Sequence, residues 1–438
     1  MGNQRVKSLF FNANAGGEKV YSIAIGGYAV EAQNDENISV LVLSSVYPRR
    51  GEDSEVPWLR ASLGRLREGG CSVAVVAPAH RGLKSHIIDD IAVHRYRYAP
   101  AALEMLTHDE GGPSKIAKNP FLQILAVPYV IFGSLKTLLV SIKTKPRIFH
   151  VHWPFPHAFM AYCAALFRKI PVVLNFHGAE LLLAKKKKWI RPILKSFIKR
   201  ADLIIANSTF TAGKVREIYD KDVVILPYGT TLGSGDANAG DGAGGETMGA
   251  NAGDGRFRVL FVGRHIERKG IEYLIRAAAM LDPGKFEVRI VGHGNLTERL
   301  KEQAANEAPQ QVTFTGKLST EQLEEEYKSA GCFVLPAIVD SRGDTEGLGV
   351  VLIEAAEYGV PIVASGVGGI TDVIINNRTG LLVKEKSPQE LANALQSLYN
   401  DGNLSQTLAK NCREQVREFF SWDRITAKQI ELYRGLLK

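Results

Sequence analysis

The sequence predicts an α/β fold with two domains, each built on a parallel β-sheet. Short, nearly continuous apolar runs alternate with helical patterns, as in parallel strands that are covered on both faces. The alternation stops at residues 233–256, which are mostly Gly, Ala, Asn and Asp, and then resumes. The chain of 438 residues is also long for a single core. We therefore expect two α/β domains joined by a flexible linker at 233–256.

Residues 37–232 form the predicted N-terminal domain, and residues 1–36 are expected to be a weakly ordered extension. Helical stretches such as 59–67 and 189–198 lie between the predicted strands. Those strands are residues 39–44, 72–77, 148–152, 171–176, 203–207 and 223–227. The apolar run 121–142 is about long enough to span a membrane, but Gln123, Pro128, Gly133 and Lys136 interrupt it. This favours a helix packed on the domain, where it could also touch lipid.

Residues 257–420 form the predicted C-terminal domain, which a helix over 421–438 follows. Its predicted strands are residues 257–262, 287–291, 312–315, 332–335, 361–364 and 381–383. Two α/β domains imply a cleft between them. Ligands of open parallel sheets bind at the carboxyl ends of the strands, so the polar residues and glycines that follow these strands should face the site.

Composition limits the classes of partner and the compartment. The net charge of +8 and the pI of about 9.1 allow an anionic partner, such as a nucleotide, a phospholipid or a nucleic acid. The four cysteines are far apart, so neither a zinc site nor a disulfide framework is indicated. The N-terminus does not read as a signal peptide. A reducing cytoplasm fits these features.

Two glutamates are the most informative residues. Glu346 and Glu354 flank the sequence from Gly347 to Gly349 and the start of an apolar segment. On one helix they would point about 80° apart, so we expect Glu346 on a loop and Glu354 on the following helix. Each would then hold a different part of one ligand, while backbone N–H groups at the turn bind an anion. The alternative is a surface loop in which Glu354 only caps local structure.

Two cations follow the first strand of the second half. Gly263 gives that strand a tight exit, and Arg264 and Lys269 come just before a helix. This arrangement suits a diphosphate. The alternative is a pair of solvated charges on a loop. No P-loop sequence occurs, which disfavours P-loop kinases and ATPases. The segment 366–369 is rich in glycine and could bring backbone close to a substrate.

Histidines and lysines stand out in the first half. His177 ends a predicted buried strand, where it could bond a substrate hydroxyl or simply be satisfied within the core. His150, His152 and His157 could bind a metal, but no acidic residue accompanies them. The basic segment 185–200, which begins with four lysines before Trp189, suits an anionic membrane surface or a solvated helix face.

Taken together, these residues resemble glycosyltransferase family 4, the retaining, nucleotide-sugar-dependent enzymes of GT-B fold. The resemblance covers most of the chain. The specific motifs are residues 261–264 with Lys269, the segment from Glu346 to Glu354, and residues 366–369. It implies two Rossmann-like domains that face a cleft and a C-terminal helix that crosses back onto the N-terminal domain.

The resemblance also implies roles for the candidate residues. Arg264 and Lys269 would bind the donor diphosphate and stabilise the leaving nucleotide without a metal. Glu346 would hold donor-sugar hydroxyls, Glu354 the ribose, and His177 would touch and orient the sugar. The groups beside the phosphates would be Gly263, Gly347, Leu348 and Gly349.

The implied activity is that of a hexosyltransferase, with a nucleotide-diphosphate sugar as donor substrate and no cofactor or metal. The acceptor would be a sugar, a lipid or a polysaccharide precursor. An anionic membrane surface at the inner face of the membrane is a further expected partner, and nucleic acid is not. Donor base, sugar, linkage and acceptor stay open.

The sequence departs from the family pattern in places. Thr230 and Thr231 follow Pro-Tyr-Gly instead of Val-Asp, and Asp372 stands where the family usually has Glu. Residues 51–55 replace a glycine pair. Two other functions remain as alternatives. A nucleotide-sugar 2-epimerase of the same fold would need acid/base carboxylates, for which Glu52, Asp53 and Glu55 are weak candidates. A non-catalytic sugar-nucleotide-binding protein would be expected to lack the phosphate cations.

Overall fold

A computed structural model describes residues 12–13, 19–20, 38–51, 53, 55–108, 120–166, 168–230, 232 and 255–438. Asn12–Ala13 and Lys19–Val20 pair as two short antiparallel strands. The rest of the predicted extension, and nearly all of the predicted linker, lie outside the described residues. The predicted domain limits therefore stay predictions.

The N-terminal sheet has eight strands, of which all but one edge strand run parallel. In spatial order they are Val224–Ile225, Leu203–Ala206, Val172–Phe176, Ile148–His152, Ser39–Leu43, Ser72–Pro78, Ile91–Tyr96 and His86–Ile88. The last two form a hairpin that the sequence analysis missed. Asp89 and Asp90 turn that hairpin with positive φ angles of 50° and 59°, a conformation that Asp tolerates better than most residues.

Helices cover both faces of this sheet. They are Pro57–Glu68, Ala126–Thr144, Pro154–Ala165, Ala179–Lys186, Ile190–Arg200 and Thr209–Arg216, with 3₁₀ turns at Ala101–Leu103 and Pro120–Leu125. Strands Ile148–His152 and Val172–Phe176 are buried at every position, which explains why most of their residues are apolar.

The C-terminal sheet has six parallel strands. In spatial order they are Val312–Gly316, Phe286–Val291, Phe257–Val262, Cys332–Leu335, Ile362–Ser365 and Leu381–Val383. The chain order reverses between Phe257–Val262 and Cys332–Leu335, so a topological switch point lies between these two strands. The loops that follow them are therefore where a ligand is expected.

The helices of this domain lie between the strands and after the last one. They are Ile271–Ala278, Thr297–Glu307, Thr320–Lys328, Val350–Glu357, Ile370–Val373, Pro388–Asn400 and Gly402–Phe419, with a 3₁₀ turn at Glu267–Lys269. The loop 336–349 separates strand Cys332–Leu335 from helix Val350–Glu357 and carries Glu346.

The terminal helix, Trp422–Leu437, packs back on the N-terminal domain. The indole N–H of Trp422 donates to the carbonyl oxygen of Thr230 at 2.8 Å, and the Tyr433 hydroxyl lies 2.6 Å from Nδ1 of His150. The helix also packs along Pro57–Glu68. The predicted crossing of the chain is thus confirmed, and the architecture is the two-domain GT-B arrangement.

The apolar run in the first half forms the helix Ala126–Thr144, packed on Pro154–Ala165. Within the described part of the chain, Leu122–Thr144 alone has the length and apolar composition needed to cross a membrane.

Candidate active site

The two loops of the C-terminal switch point are joined backbone to backbone. The amide of Ile338 donates to the carbonyl oxygen of Arg268 at 2.9 Å. Gly270 has a φ of 64°, and a Cβ there would overlap the carbonyl oxygen of Pro336. Only glycine permits this approach. The loop that carries the cations is therefore held against the loop that carries the acidic residues.

Glu346 lies at the centre of a compact charge cluster. Nζ of Lys269 is 2.6 Å from its Oε2, and Nη1 of Arg268 is 2.9 Å from the same oxygen. The three side chains are only 9–16% exposed. Burial alone would raise the pKa of Glu346, but the charges and hydrogen bonds of Lys269 and Arg268 outweigh burial and lower it to about 2. The carboxylate is therefore ionised at neutral pH.

Arg268 is a site residue that the sequence analysis missed. It sits beside Lys269 on a three-residue 3₁₀ turn, and its guanidinium also lies 3.6 Å from Asp344. The basic side chain of Arg268 and its position between Arg264 and Lys269 are the sequence features that could have identified it as a site residue. Arg264 is exposed and, among the described residues, forms no ion pair or hydrogen bond. The structure thus brings three cations to this loop. Two of them hold Glu346, and the third, Arg264, only feels the charges of nearby acidic residues, among them Glu346 and Asp344.

The turn after Glu346 presents free backbone donors. Within the described residues, the amides of Gly347, Leu348 and Gly349 donate to no protein group. They come directly before helix Val350–Glu357, where unpaired N–H groups and the helix dipole favour an anion.

The glycine-rich segment 366–369 supports this turn. The amide of Gly369 donates to the carbonyl oxygen of Glu346 at 2.9 Å, and a Cβ at Gly368 would overlap the same oxygen. These glycines bring backbone close to the acidic loop. The sequence analysis had expected such an approach to a substrate instead.

Glu354 lies on helix Val350–Glu357, as predicted, and Glu346 lies on the loop before it. The Tyr327 hydroxyl donates to Oε2 of Glu354 at 2.8 Å, and the ring of Tyr327 stacks on Tyr358. Burial raises the pKa of Glu354, although the Tyr327 hydrogen bond and the charge of Lys269 oppose the increase. The charge of Lys269 thus acts to lower the pKa of both glutamates.

His177 lies in an aromatic box of the N-terminal domain. Its ring packs on Trp153 and Trp58 at centroid distances of 4.4 and 5.1 Å. Its Nε2 lies 3.1 Å from Nδ1 of His152, and its Nδ1 bonds the Tyr228 hydroxyl. Burial lowers the pKa of His177 to about 3, so the ring is neutral at physiological pH. Both ring nitrogens are engaged within the protein.

The other histidines form a stack rather than a metal site. The rings of His150 and His152 are 4.4 Å apart, and those of His152 and His177 are 5.2 Å apart. His157 instead bonds Tyr129. In the ranges that the structure describes, no group of three or more His, Cys, Asp or Glu side chains is placed to hold a metal ion. A two-residue period on strand Ile148–His152 was the signal that could have predicted this stack.

The two domains meet at the mouth of this site. The amide of Thr209 donates to Oδ2 of Asp372 at 2.5 Å, and the Thr209 hydroxyl bonds the other carboxylate oxygen. A Cβ at Gly347 would lie 3.4 Å from Nδ2 of Asn207 and 3.5 Å from the carbonyl oxygen of His177. The predicted residues of both domains are therefore brought to one cleft, with Asp372 as an inter-domain contact.

Comparison with known families decides the class of protein. The model for glycosyl transferases group 1 matches residues 249–415, and the model for glycosyltransferase family 4 matches residues 60–232. The two ranges together cover most of the chain and correspond to its two domains. The chain belongs to glycosyltransferase family 4.

Two relatives of this glycosyltransferase are named as mannosyltransferases. The O-antigen chain mannosyltransferase C of Escherichia coli is 26% identical over 328 residues, which are 74% of this chain and 84% of that protein. The GDP-mannose-dependent alpha-(1-6)-phosphatidylinositol monomannoside mannosyltransferase of Mycobacterium tuberculosis is 33% identical over 182 residues, 40% of this chain and 47% of that protein.

Solved structures agree on the fold. Sucrose-phosphate synthase from Thermosynechococcus elongatus superposes with a TM-score of 0.70 at 21% identity, over 91% of this chain and 99% of that one. An Anabaena protein in complex with UDP and glucose superposes with a TM-score of 0.64 at 16% identity, over 91% of this chain and 100% of that one.

One of the carboxylates proposed for an epimerase, Asp53, is a poor acid or base in this glycosyltransferase. Glu52 lies outside the described residues. Asp53 accepts hydrogen bonds from both the backbone and the side chain of Arg49. Burial acts to raise the pKa of Asp53, but the bonds and charge of Arg49 lower it to about 2. Such a carboxylate is a weak proton donor or acceptor near neutral pH, so the epimerase alternative is not favoured.

Proposed function

We propose that this glycosyltransferase moves a sugar from a nucleoside-diphosphate donor to an acceptor hydroxyl, with retention of configuration and without a metal ion. The observation that carries the proposal is the cluster of Lys269, Arg268 and Glu346 at the C-terminal switch point. Beside it lie Arg264, which forms no ion pair or hydrogen bond with a described residue, and the amides of residues 347–349, which donate to no described group.

In this proposal the cations stabilise the departing nucleotide. Charge builds up on the diphosphate as the glycosidic bond breaks, and preorganised cations in a partly buried site stabilise that charge better than water does. In the absence of donor, Glu346 pairs with both Lys269 and Arg268, and one positive charge of the three groups stays uncompensated. A bound diphosphate would share those cations, which frees lone pairs of Glu346 for the hydroxyls of the donor sugar.

Glu354 would hold the ribose of the donor. Its Oε2 accepts from Tyr327 at 2.8 Å, so the position of the carboxylate is fixed. The other oxygen, Oε1, makes no hydrogen bond to a described residue and can accept from a ribose hydroxyl. Since the ribose is remote from the bond that breaks, this contact contributes binding rather than rate.

The carboxylate of Glu346 is held by Lys269 and Arg268, and His177 is neutral. We therefore propose front-face transfer, in which the acceptor oxygen bonds to the anomeric carbon on the side from which the diphosphate leaves. The bond from the anomeric carbon to the diphosphate oxygen breaks, and the acceptor proton passes to that oxygen. The neutral ring of His177 is held in place by Tyr228 and His152, and in this proposal it forms part of the aromatic wall beside the reacting atoms.

The proposed donor and acceptor classes rest on the names of two relatives. One relative is named as GDP-mannose-dependent and another as an O-antigen chain mannosyltransferase. We place GDP-mannose first among the candidate donors, and a saccharide, a lipid or a polysaccharide precursor as acceptor. The exposed lysines 185–188 support the proposal that the enzyme acts at the inner face of an anionic membrane.

The test is a hydrolysis screen of the purified full chain over nucleotide sugars, with release of nucleoside diphosphate as the readout. Excess EDTA is present in a parallel series. The proposal expects turnover of one donor class that EDTA leaves unchanged and that Lys269→Ala abolishes. No turnover of any donor, or activity that requires added manganese or magnesium, would contradict it.

A further inference from the structure

The helix Ala126–Thr144 turns its apolar side to solvent. Val127, Ile131, Leu135, Leu139 and Ile142 are each at least half exposed, and we call these five residues the apolar stripe. They recur every three or four positions and so lie on one side of the helix. The residues buried against the domain are Tyr129, Gly133, Thr137, Val140 and Ser141. A helix on the surface of a water-soluble domain normally has the reverse arrangement.

The opposite side of the helix is firmly attached to the domain. A Cβ at Gly133 would lie 2.6 Å from Sδ of Met160, and the Tyr129 hydroxyl lies 2.9 Å from Nε2 of His157. Both contacts are to Pro154–Ala165, and their order shows that the two helices run in the same direction. Since this packing fixes the helix along the domain, its apolar stripe stays on the surface.

Cations lie at both ends of the stripe. Lys143 and Lys145 are exposed at the carboxyl end, where the exposed Arg168 and Lys169 follow the parallel neighbouring helix. At the other end, Phe155 packs edge-on against the exposed Trp189, which follows four exposed lysines. The sequence between positions 110 and 180 contains no Asp or Glu. An apolar stripe between groups of cations matches a layer of acyl chains beneath anionic headgroups.

We propose that the apolar stripe docks on an anionic phospholipid bilayer, with the helix lying in the plane of the membrane surface and Trp189 at the level of the headgroups. Charge complementarity selects this occupant. A second copy of the chain on the same face would bring the flanking cations of both copies together. The inference rests on the membrane part of the proposed function and adds the surface that makes the contact. It does not depend on the donor chemistry.

This orientation places the bilayer beside the cleft. A Cβ at Gly343, on the acidic loop of the C-terminal domain, would lie 3.5 Å from Nζ of Lys185. Lys185 begins the row of lysines that ends at Trp189. The docking surface therefore continues to the mouth of the active site, where an acceptor held in the membrane could enter.

The test is flotation of the full chain with vesicles of phosphatidylcholine alone or mixed with phosphatidylglycerol. The triple substitution Ile131→Gln, Leu135→Gln and Leu139→Gln should lower partition into the mixed vesicles by roughly a hundredfold. The reason is that the exposed halves of three aliphatic side chains would no longer be buried among the acyl chains. Met280→Gln is the matched control, since Met280 is equally exposed but lies in the C-terminal domain. It should float as the parent does.

Three further measurements make the result decisive. Thermal melts of the variants check folding, which exposed substitutions should preserve. Donor hydrolysis without lipid should be equal in parent and triple variant, so a failed donor screen and a failed docking surface are separate results. Sedimentation equilibrium reports a second copy. Flotation of the triple variant at the parental level, absence of parental flotation, or a parental dimer that the triple substitution dissociates would each overturn the proposal.

Discussion

Replacing Glu346 with Gln tests the charge cluster directly. The substitution keeps a hydrogen-bond acceptor but leaves the mostly buried Lys269 without its ion-pair partner and Arg268 with only the more distant Asp344, at 3.6 Å. Breaking a buried pair by removing one partner costs about 3–5 kcal/mol. Gln retains part of the hydrogen bonding, so we expect about 3 kcal/mol of lost stability. In a domain of this size that is a decrease in melting temperature of about 6–12 °C.

A nucleoside diphosphate should reverse this loss, because its charge replaces that of the missing carboxylate. The ligand-induced increase in melting temperature should therefore be larger for Glu346→Gln than for the parent. Differential scanning fluorimetry with and without GDP and UDP measures both values. In donor turnover, the same variant should lose kcat with a smaller change in KM, since contacts to the sugar strengthen as the glycosidic bond breaks.

Glu326→Gln is the matched control. Glu326 pairs with Arg289 in the same domain, and its side chain is 10% exposed against 12% for Glu346. This variant should also melt at lower temperature, but the diphosphate should shift it no more than it shifts the parent. Equal diphosphate shifts in all three proteins, or a Glu346→Gln protein as stable as the parent, would refute the reasoning.

Three further outcomes follow from the geometry. Glu354→Gln should mainly raise the donor KM, by roughly tenfold to a hundredfold for about 1.5–3 kcal/mol of weakened hydrogen bonding, and Tyr327→Phe should act in the same direction more weakly; an effect confined to kcat would contradict the ribose role. Asp372→Asn should weaken the hydrogen bonds that Thr209 donates across the domains, which small-angle scattering would show as a more open average shape. Unchanged scattering would show that this contact does not hold the domains together. Burial raises the pKa of Glu180 to about 7, so between about pH 4.5 and 7 the folded chain binds a proton that the unfolded chain has released. This residue should therefore make stability fall as pH rises through that range. The melting temperature of Glu180→Gln should fall less steeply with pH, and a pH dependence identical to that of the parent would contradict this prediction.

The strands and their order in the chain could be predicted where burial on both faces leaves a continuous apolar run. Cys332–Leu335 is such a case. The hairpin of His86–Ile88 and Ile91–Tyr96 could not, because it lies at the edge, its two strands contain polar residues, and it turns on two aspartates. A continuous-run criterion does not detect such strands.

The candidate site was predictable in its residue types but not in its pairing. The sequence places three cations on one short loop, yet only the conformation of the 3₁₀ turn decides that Arg268 reaches Glu346 and Arg264 does not. The contact between Thr209 and Asp372 joins residues 163 positions apart, so it depends on how the domains meet. Local sequence carries no signal for either arrangement.

The terminal helix has a consequence for the order of events during synthesis. The N-terminal domain leaves the ribosome first, and domains generally fold in that order. Its histidine stack, however, includes a contact between His150 and Tyr433, which belongs to the helix Trp422–Leu437. The stack that holds His177 thus receives this support only after both sheets have been synthesised. A nascent chain that has exposed both sheets but not this helix still lacks the support, so activity should begin only after the helix has left the ribosome.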